Sequence, residues 1–263
     1  MTKTSSMPNT QERFYTILDM RSKIVHLMWR LGLTPTEECI RLKDCPVRLY
    51  LRRGTHDAHI AKEIFQERQY LDREHLTRTE NIKTIIDVGA NVGFSVLYFA
   101  HNYPHASIHC YEPVPEHERQ IIKHVKINNL GDRVVLHSAA AAVKTGKLCL
   151  IEDGAASNVL GSAGNGITVS AIDWFESLPQ GTLDIVKIDI EGGEIDLLSD
   201  RRFETVAKRI RLMFLEWHAS TSLNDAQAWC RSRLESCGFR VSDGSVQYGN
   251  AGILKAINPR MVE

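Results

Sequence analysis

The stretch that decides the fold is Ile85-Ile86-Asp87-Val88-Gly89-Ala90-Asn91-Val92-Gly93-Phe94. It belongs to a mostly apolar, β-branched run from Ile82 to Val88, which predicts a buried parallel strand. The run breaks at Gly89, and from Gly93 onward apolar residues return at helical spacing. Strand, glycine turn and helix make the first half of a βαβ unit, and such folds hold their ligand at this turn.

The chemistry of the turn favours one kind of ligand. Gly89 lets the chain leave the strand tightly and exposes bare backbone, while Gly93 removes a side chain where the helix starts. The spacing is Gly-x-x-x-Gly rather than the Gly-x-Gly-x-x-Gly of dinucleotide sites, with Asn91 between the glycines. Asp87, just before the turn, suits an ammonium group better than a pyrophosphate. The turn therefore favours S-adenosylmethionine over NAD.

The composition excludes several classes of partner. The chain has 263 residues, of which 43% are hydrophobic, and its 32 basic residues balance 32 acidic ones. This balance gives no reason to expect a nucleic acid or an anionic membrane as partner. The six cysteines show no Cys-x-x-Cys spacing, and the polar first ten residues lack the apolar core of a signal peptide. We expect a cytoplasmic protein with reduced thiols; its oligomeric state is open, a homodimer included.

The pattern divides the chain into two parts. Residues 1–80 predict an N-terminal helical and strand appendage, with a helix at 11–31, a strand at 47–53 and a helix at 58–70. Residues 81–263 predict a catalytic core in which strands and helices alternate. Its predicted strands are 82–88, 107–111, 134–137, 146–152, 166–170, 183–190 and 210–217, followed by an antiparallel pair at 239–241 and 251–257. The glycine-rich segment 154–166 predicts a mobile loop or lid.

Acidic residues end four of the predicted strands. They are Asp87, Glu112, Asp189 with Glu191, and Glu216, which His218 follows. The carboxyl ends of parallel strands meet at one edge, and burying several carboxylates there is costly unless they serve a ligand. Glu112 lies about twenty residues past the glycine turn, the spacing of an acid that accepts ribose hydroxyls. For Glu191 and Glu194, capping of the next helix is an equally simple interpretation.

Three motifs in order carry a family resemblance. They are Asp87-Val-Gly-Ala-Asn-Val-Gly93, Tyr111-Glu112-Pro113 and Lys187-Ile-Asp-Ile-Glu-Gly-Gly-Glu194. Together they resemble the FkbM-type methyltransferases, and Arg53-Gly54-Thr55-x-Asp57 followed by Tyr70 is similar to the segment leading into that family's fold. The resemblance covers about residues 45 to 257, and the first forty residues match none of its motifs.

The resemblance implies both a fold and an activity. The fold would be α/β and Rossmann-like, with a mostly parallel seven-stranded sheet and an antiparallel closing strand. The activity would be S-adenosylmethionine-dependent O-methylation of a hydroxyl on a small molecule, such as a natural product or sugar. The implied cofactor-binding residues are Gly89 and Asn91 at the methionine part with Asp87 and Gly93 nearby, Glu112 at the ribose, Ser138 and Ala139 at the adenine, and Asp189 at the sulfonium.

The catalytic candidates are Asp189, Glu191, Glu216 and His218, because they should converge at the carboxyl edge. The ordinary pKa of a histidine would make His218 a suitable base near neutral pH. The same residues could gather Mg²⁺ or Mn²⁺, but no ligand spacing is diagnostic, so we predict no metal. Two other classes stay open at this point: a nicotinamide-dependent oxidoreductase and a non-catalytic nucleotide-binding module on the same fold.

Overall fold

The computed structural model describes residues 16–33, 35–43, 45–72, 79–153, 157–160, 166–219, 223, 225–247 and 249–261. Its strands are β1 (Glu37–Arg41), β2 (Arg48–Arg52), β3 (Thr84–Val88), β4 (Ser107–Tyr111), β5 (Val134–His137), β6 (Ala140–Ala142), β7 (Gly146–Asp153), β8 (Ser157–Leu160), β9 (Ile167–Asp173), β10 (Leu183–Ile188), β11 (Ile210–His218), β12 (Arg240–Gln247) and β13 (Ala251–Ile257). Its α-helices are α1 (Met20–Arg30), α2 (Asp57–Ala61), α3 (Phe94–Asn102), α4 (Pro115–Ile127), α5 (Trp174–Ser177), α6 (Glu194–Ser199), α7 (Phe203–Ala207) and α8 (Ala226–Ser236).

A seven-stranded sheet of order β12-β13-β11-β10-β3-β4-β5 forms the centre of the molecule. The five strands from β11 to β5 run parallel, and β13 pairs antiparallel with both β11 and β12. The predicted mostly parallel sheet with an antiparallel closing strand is therefore confirmed. The central strand β10 is buried at every position, as its mostly apolar sequence predicted, although Asp184 and Lys187 lie within it.

Alternate residues of the central strands feed two separate cores. Ile85 of β3 packs with helices α3 and α4 on one face, whereas Ile86 packs with α6 to α8 on the other. Phe214 and Met213 of β11 divide in the same way. This follows from the period of two in a strand, which sends successive side chains to opposite faces. Both faces are covered, so the strands end at a common edge that is open for a ligand.

The appendage joins the first of these cores. Strands β1 and β2 form an antiparallel hairpin, and Leu49 and Leu51 of β2 are fully buried together with Ile85. The sequence did not predict β1. Helix α1 begins at Met20 with Asp19 as N-cap, so the predicted helix at 11–31 is too long in its described part, and residues 11–15 lie outside the described residues. The division at residue 80 stays a prediction.

The second appendage helix is shorter than predicted. Helix α2 ends at Ala61, and a turn of π-helix follows at Lys62–Gln66. A π-turn widens the helix by one residue per turn and is often found at functional sites. The chain then brings Tyr70 to a fully buried position against Phe99 and Phe214, with ring centroids 5.7 and 5.6 Å away. Among the described residues, no helix is long and apolar enough to cross a membrane.

His124 ties the appendage to the glycine turn. From helix α4 its Nδ1 donates to the carbonyl oxygen of Val92 at 2.7 Å, and its Nε2 accepts from the backbone N–H of Tyr50 at 2.8 Å. This arrangement requires the neutral imidazole, because only a deprotonated Nε2 can accept. Burial lowers the pKa of His124 to about 4. Protonating this side chain therefore opposes folding.

We expect acid to weaken the fold through His124. Its folded pKa lies below the unfolded value of about 6.5, so its contribution is complete above that pH and is lost as pH falls towards 4. Between pH 7.5 and pH 5.0, the free energy of unfolding measured with urea should fall by about 2 kcal/mol more in the wild type than in His124→Gln, which cannot titrate. Equal losses in the two proteins would contradict this account of His124.

Candidate active site

The turn between β3 and α3 is built so that only glycine fits at its first position. Gly89 has φ +81°, and a Cβ there would lie 1.7 Å from the backbone oxygen of Asp189. The backbone N–H groups of Gly89 and Ala90 both donate to the carbonyl oxygen of Tyr111 at 3.1 Å. The ends of β3, β4 and β10 thus meet at Gly89, because its missing side chain lets two backbones touch.

Gly93 serves packing and turn geometry together. It has φ +89°, and a Cβ on it would lie 3.1 Å from Cγ1 and 3.4 Å from Cα of Ile121 in α4. The first of these distances is tighter than ordinary contact, and the backbone conformation is one that side chains disfavour. Gly93 therefore sits behind the turn, where it sets the approach of α4, and it does not line the cleft described below.

Glu112 connects the end of β4 to the glycine turn. Its side chain is buried, and its Oε2 accepts from the backbone N–H of Asn91 at 2.8 Å. Its Oε1 accepts from the N–H of Val114 at 2.9 Å and lies 3.3 Å from Nδ1 of His117. Asn91 in the turn and the acid expected at the ribose are thus joined by a direct hydrogen bond. His117 was not predicted, because nothing in its local sequence distinguishes it from a helix residue.

A buried lysine holds the acids at the ends of β3 and β10. Lys187 Nζ donates to the carbonyl oxygen of Gly89 at 2.7 Å and lies 3.2 Å from Asp87 Oδ1 and 3.3 Å from Asp189 Oδ2. Burial alone would lower the pKa of Lys187, but the charges of Asp87, Asp189 and Glu216 outweigh it and raise the pKa. The ammonium therefore stays charged. Sequence reasoning did not assign Lys187 a role, although a lone cation in an apolar central strand was the available signal.

Asp87 lies beneath the turn rather than in the cleft. It is fully buried, and its Oδ2 accepts from the Ser95 hydroxyl at 2.6 Å. Together with Lys187 this contact neutralises and orients the carboxylate. Asp87 therefore supports the turn from below, and its position near the methionine part of a cofactor stays a prediction.

His218 is enclosed by carboxylates. Its Nδ1 lies 2.8 Å from Glu194 Oε1, and its Nε2 lies 3.3 Å from Glu191 Oε2 and 4.0 Å from Glu216 Oε1. Glu194 is itself buried and accepts from the backbone N–H groups of Ile190 and Gly192 at 3.2 and 2.8 Å. The capping interpretation of Glu194 is therefore wrong, because helix α6 has no side-chain capping bond and Glu194 instead holds the loop before it. The same carboxylate orients His218 on strand β11.

This enclosure changes the protonation of the site. Burial would lower the pKa of His218, but the hydrogen bond to Glu194 and the charges of Asp189 and Glu191 raise it to about 10. The pKa of His218 therefore departs from the ordinary histidine value that the sequence suggested, and the shift favours the protonated imidazole at neutral pH. Burial, together with repulsion from Asp189, raises the pKa of Glu216. Burial also raises the pKa of Glu191.

The cleft at this edge of the sheet has two lobes that share Gly89, Asn91, Asp189 and Glu191. The first lobe lies beside the end of β4, and its further lining residues are Tyr111, Glu112, Pro113, Val114, His117, Ala140, Ala141, Leu148, Leu150, Ile190 and Gly193. The second lobe lies under the appendage and is lined further by Ile60, Glu63, Ile64, Gln69, Tyr70, Ala90, Val92, Phe94, Ser95, Lys187 and Glu216.

The expected site residues divide between these lobes. Six line the cleft directly: Gly89, Asn91, Glu112, Asp189, Glu191 and Glu216. Ala140 and Ala141 line the first lobe, whereas Ser138 and Ala139 are not among its lining residues, so their place beside an adenine stays a prediction. In the predicted loop 154–166, the described residues 157–160 form β8 against β7, and residues 154–156 and 161–165 lie outside the described residues.

The mostly parallel sheet, with its glycine turn and its acids at one edge, has the architecture of a Rossmann-like methyltransferase. A family model, the Methyltransferase FkbM domain, matches residues 87–241, which is more than half of the chain. The protein therefore belongs to the FkbM methyltransferase family. The comparison with curated proteins gave no match.

Solved structures with the same fold include methyltransferases of several kinds. The FkbM methyltransferase of Methylobacillus flagellatus KT is 14% identical, with a TM-score of 0.50 over 94% of this chain and 58% of its own. The METTL16 methyltransferase domain is 11% identical, with a TM-score of 0.48 over 95% of this chain and 92% of its own. The mitomycin 7-O-methyltransferase MmcR is 14% identical, with a TM-score of 0.45 over 77% of this chain and 55% of its own. Identities this low concern the fold alone.

We expect Gly93→Ala to destabilise the protein by ~1–3 kcal/mol, because a side chain must adopt a positive φ and press on Ile121. The matched control is Gly131→Ala, where a Cβ meets open space. Urea unfolding of both variants gives the comparison. If the two variants lose equal stability, the packing role of Gly93 is wrong.

Proposed function

We propose that this protein is an S-adenosylmethionine-dependent methyltransferase that methylates a hydroxyl group of a small molecule. The observation that supports this most is the joining of the two lobes at Asp189 and Glu191. One lobe carries the glycine turn and Glu112, which suit a nucleoside, and the other carries acids under a cover of appendage residues. A methyl group bound at the junction would face both lobes.

The first lobe fits the cofactor in the proposed assignment. An ionised carboxylate has about four acceptor positions, so Glu112 keeps capacity for ribose hydroxyls beyond its two backbone partners. Gly89 and Asn91 would hold the methionine part, with Asp87 and Gly93 supporting the turn from behind. Ser138 and Ala139 would flank the adenine near the small residues Ala140 and Ala141 of the wall.

The second lobe fits an acceptor that must be kept from water. A sulfonium methyl group is already activated, so the protein mainly aligns the acceptor oxygen and excludes water. Tyr70 and Ile60 from the appendage cover the lobe, and Asp189 lies where the sulfonium would come. We expect a hydroxylated small molecule here and no nucleic acid or membrane partner. The oligomeric state, a homodimer included, is left open.

The acidic residues of the junction have different proposed roles. Glu216 is the best-placed base, because its pKa is raised and its one ionic neighbour within 4.0 Å among the described residues is His218. His218, with its raised pKa, would balance the surrounding carboxylates rather than take up the proton of the acceptor. Glu191 reaches the same junction and contacts His218, so it would help to hold that cation in place.

We expect Glu112→Ala to weaken binding of S-adenosylhomocysteine roughly tenfold or more, because charged hydrogen bonds contribute ~1.5–3 kcal/mol. Isothermal titration calorimetry measures this, with Glu118→Ala in helix α4 as control. A melting temperature near that of the wild type shows that the fold survives. Unchanged affinity in a well-folded Glu112→Ala protein would exclude the ribose assignment.

Turnover should fall by about 10²-fold or more in Glu216→Gln, because the amide cannot accept the proton of the acceptor hydroxyl. Cofactor affinity should change little, since Glu216 lines only the second lobe. Methyl transfer from labelled S-adenosylmethionine to a panel of hydroxylated acceptors gives the rate, with the exposed Glu204→Gln as control. Wild-type turnover in Glu216→Gln would show that catalysis depends on alignment alone.

A further inference from the structure

Three side chains converge where the end of β11 meets the loop after β10. Asp189, Glu216 and His218 each offer one ligand atom, and these atoms all lie within 4.8 Å of one another. We propose that they bind a divalent first-row transition metal ion, for which Mn²⁺ is the probe. Binding of the ion does not depend on the proposed function. Only a role of the ion in catalysis rests on the proposed function.

The positions of the three residues follow from the sheet. Strands β10 and β11 are parallel neighbours in which Ile188 pairs with Leu215, so Asp189 lies beside Glu216 at the same edge. Glu216 and His218 are two residues apart on β11 and therefore point to the same face. Two strands distant in sequence supply the ligands, which explains why no sequence spacing indicated a metal.

The donor set suits the proposed ion. Two carboxylates and one imidazole provide oxygen and nitrogen donors, a combination that first-row ions accept and that all-oxygen Mg²⁺ and Ca²⁺ sites do not use. Donor atoms on one such ion stand roughly 3.0 Å apart in neighbouring positions and roughly 4.2 Å apart in opposite ones, given bonds near 2.1 Å. The three donor atoms here lie within 4.8 Å of one another, so side-chain rotations would bring them onto one ion.

The imidazole is oriented before any ion arrives. Glu194 fixes Nδ1 of His218 at 2.8 Å, which leaves Nε2 directed at Glu191 and Glu216. Histidine ligands of metals characteristically give their second nitrogen to a carboxylate in this way, and that partner sets the ring orientation. Glu194 is in turn held by the N–H groups of Ile190 and Gly192.

The charges at the junction are compatible with a bound cation. Asp189, Glu191 and Glu216 all line the second lobe, and Lys187, which also lines it, contacts Asp87 and the Gly89 carbonyl. An ion bound to Nε2 of His218 would replace the proton there, so the carboxylates would keep a positive neighbour. An ion at this place would face the acceptor lobe. The acceptor class that fits is one with two adjacent oxygens, such as a vicinal diol or a hydroxy acid, since both could join the ion.

Binding of Mn²⁺ to the chelator-treated, cofactor-free protein tests the site directly. Electron paramagnetic resonance reports free Mn²⁺, and we expect one saturable site per chain. Glu216→Gln and His218→Gln should each weaken binding at least ~tenfold, because each removes a ligand. The control Glu204→Gln removes a surface carboxylate and should bind as the wild type does.

The possible outcomes separate the two proposals. Saturable binding that both ligand variants lose supports the site, and melting temperatures near the wild-type value show that the variants are folded. Absence of saturable binding, or binding undiminished in folded variants, overturns it. If methyl transfer persists in chelator and no Mn²⁺ site is found, the metal-site proposal is wrong and the proposed function stands. Mn²⁺ binding in a protein that does not bind S-adenosylmethionine would support the metal site and overturn the proposed function.

Discussion

The buried ammonium of Lys187 is the contact on which the rest of the site depends. It joins the carbonyl of Gly89 to the carboxylates of Asp87 and Asp189, and these groups belong to the ends of two adjacent strands. Removing one partner of a buried ion pair typically costs about 3–5 kcal/mol, because the other charge is left uncompensated. The glycine turn, Asp87 beneath it and Asp189 at the junction of the two lobes thus share one side chain as a contact.

A second arrangement of charge completes the edge of the sheet. Glu194 uses one carboxylate to hold the loop after β10 through backbone N–H groups and to hold His218 on β11. Lys187 lies 3.3 Å from Asp189, and the His218 side chain that Glu194 holds lies 3.3 Å from Glu191. Because both are largely buried, the acids at the junction are positioned before a ligand binds, which is what a site that works by alignment requires.

Much of the fold could be predicted from local sequence. The apolar run of β10, the glycine turn and the acids at strand ends each follow from a few neighbouring residues, and the sheet confirmed them. The hairpin strand β1 could not, because Glu38 in it is buried only through its contact with His26 in helix α1. The raised pKa of His218 was equally inaccessible, since Glu194 lies 24 residues away.

A crystal structure with bound S-adenosylhomocysteine tests the central claim most directly, because it shows which groups each part of the cofactor touches. The account predicts the ribose hydroxyls on Glu112, the methionine part along Gly89 and Asn91, and the sulfur at the junction beside Asp189. A nucleoside bound outside the first lobe, or a sulfur directed away from the second lobe, would contradict it.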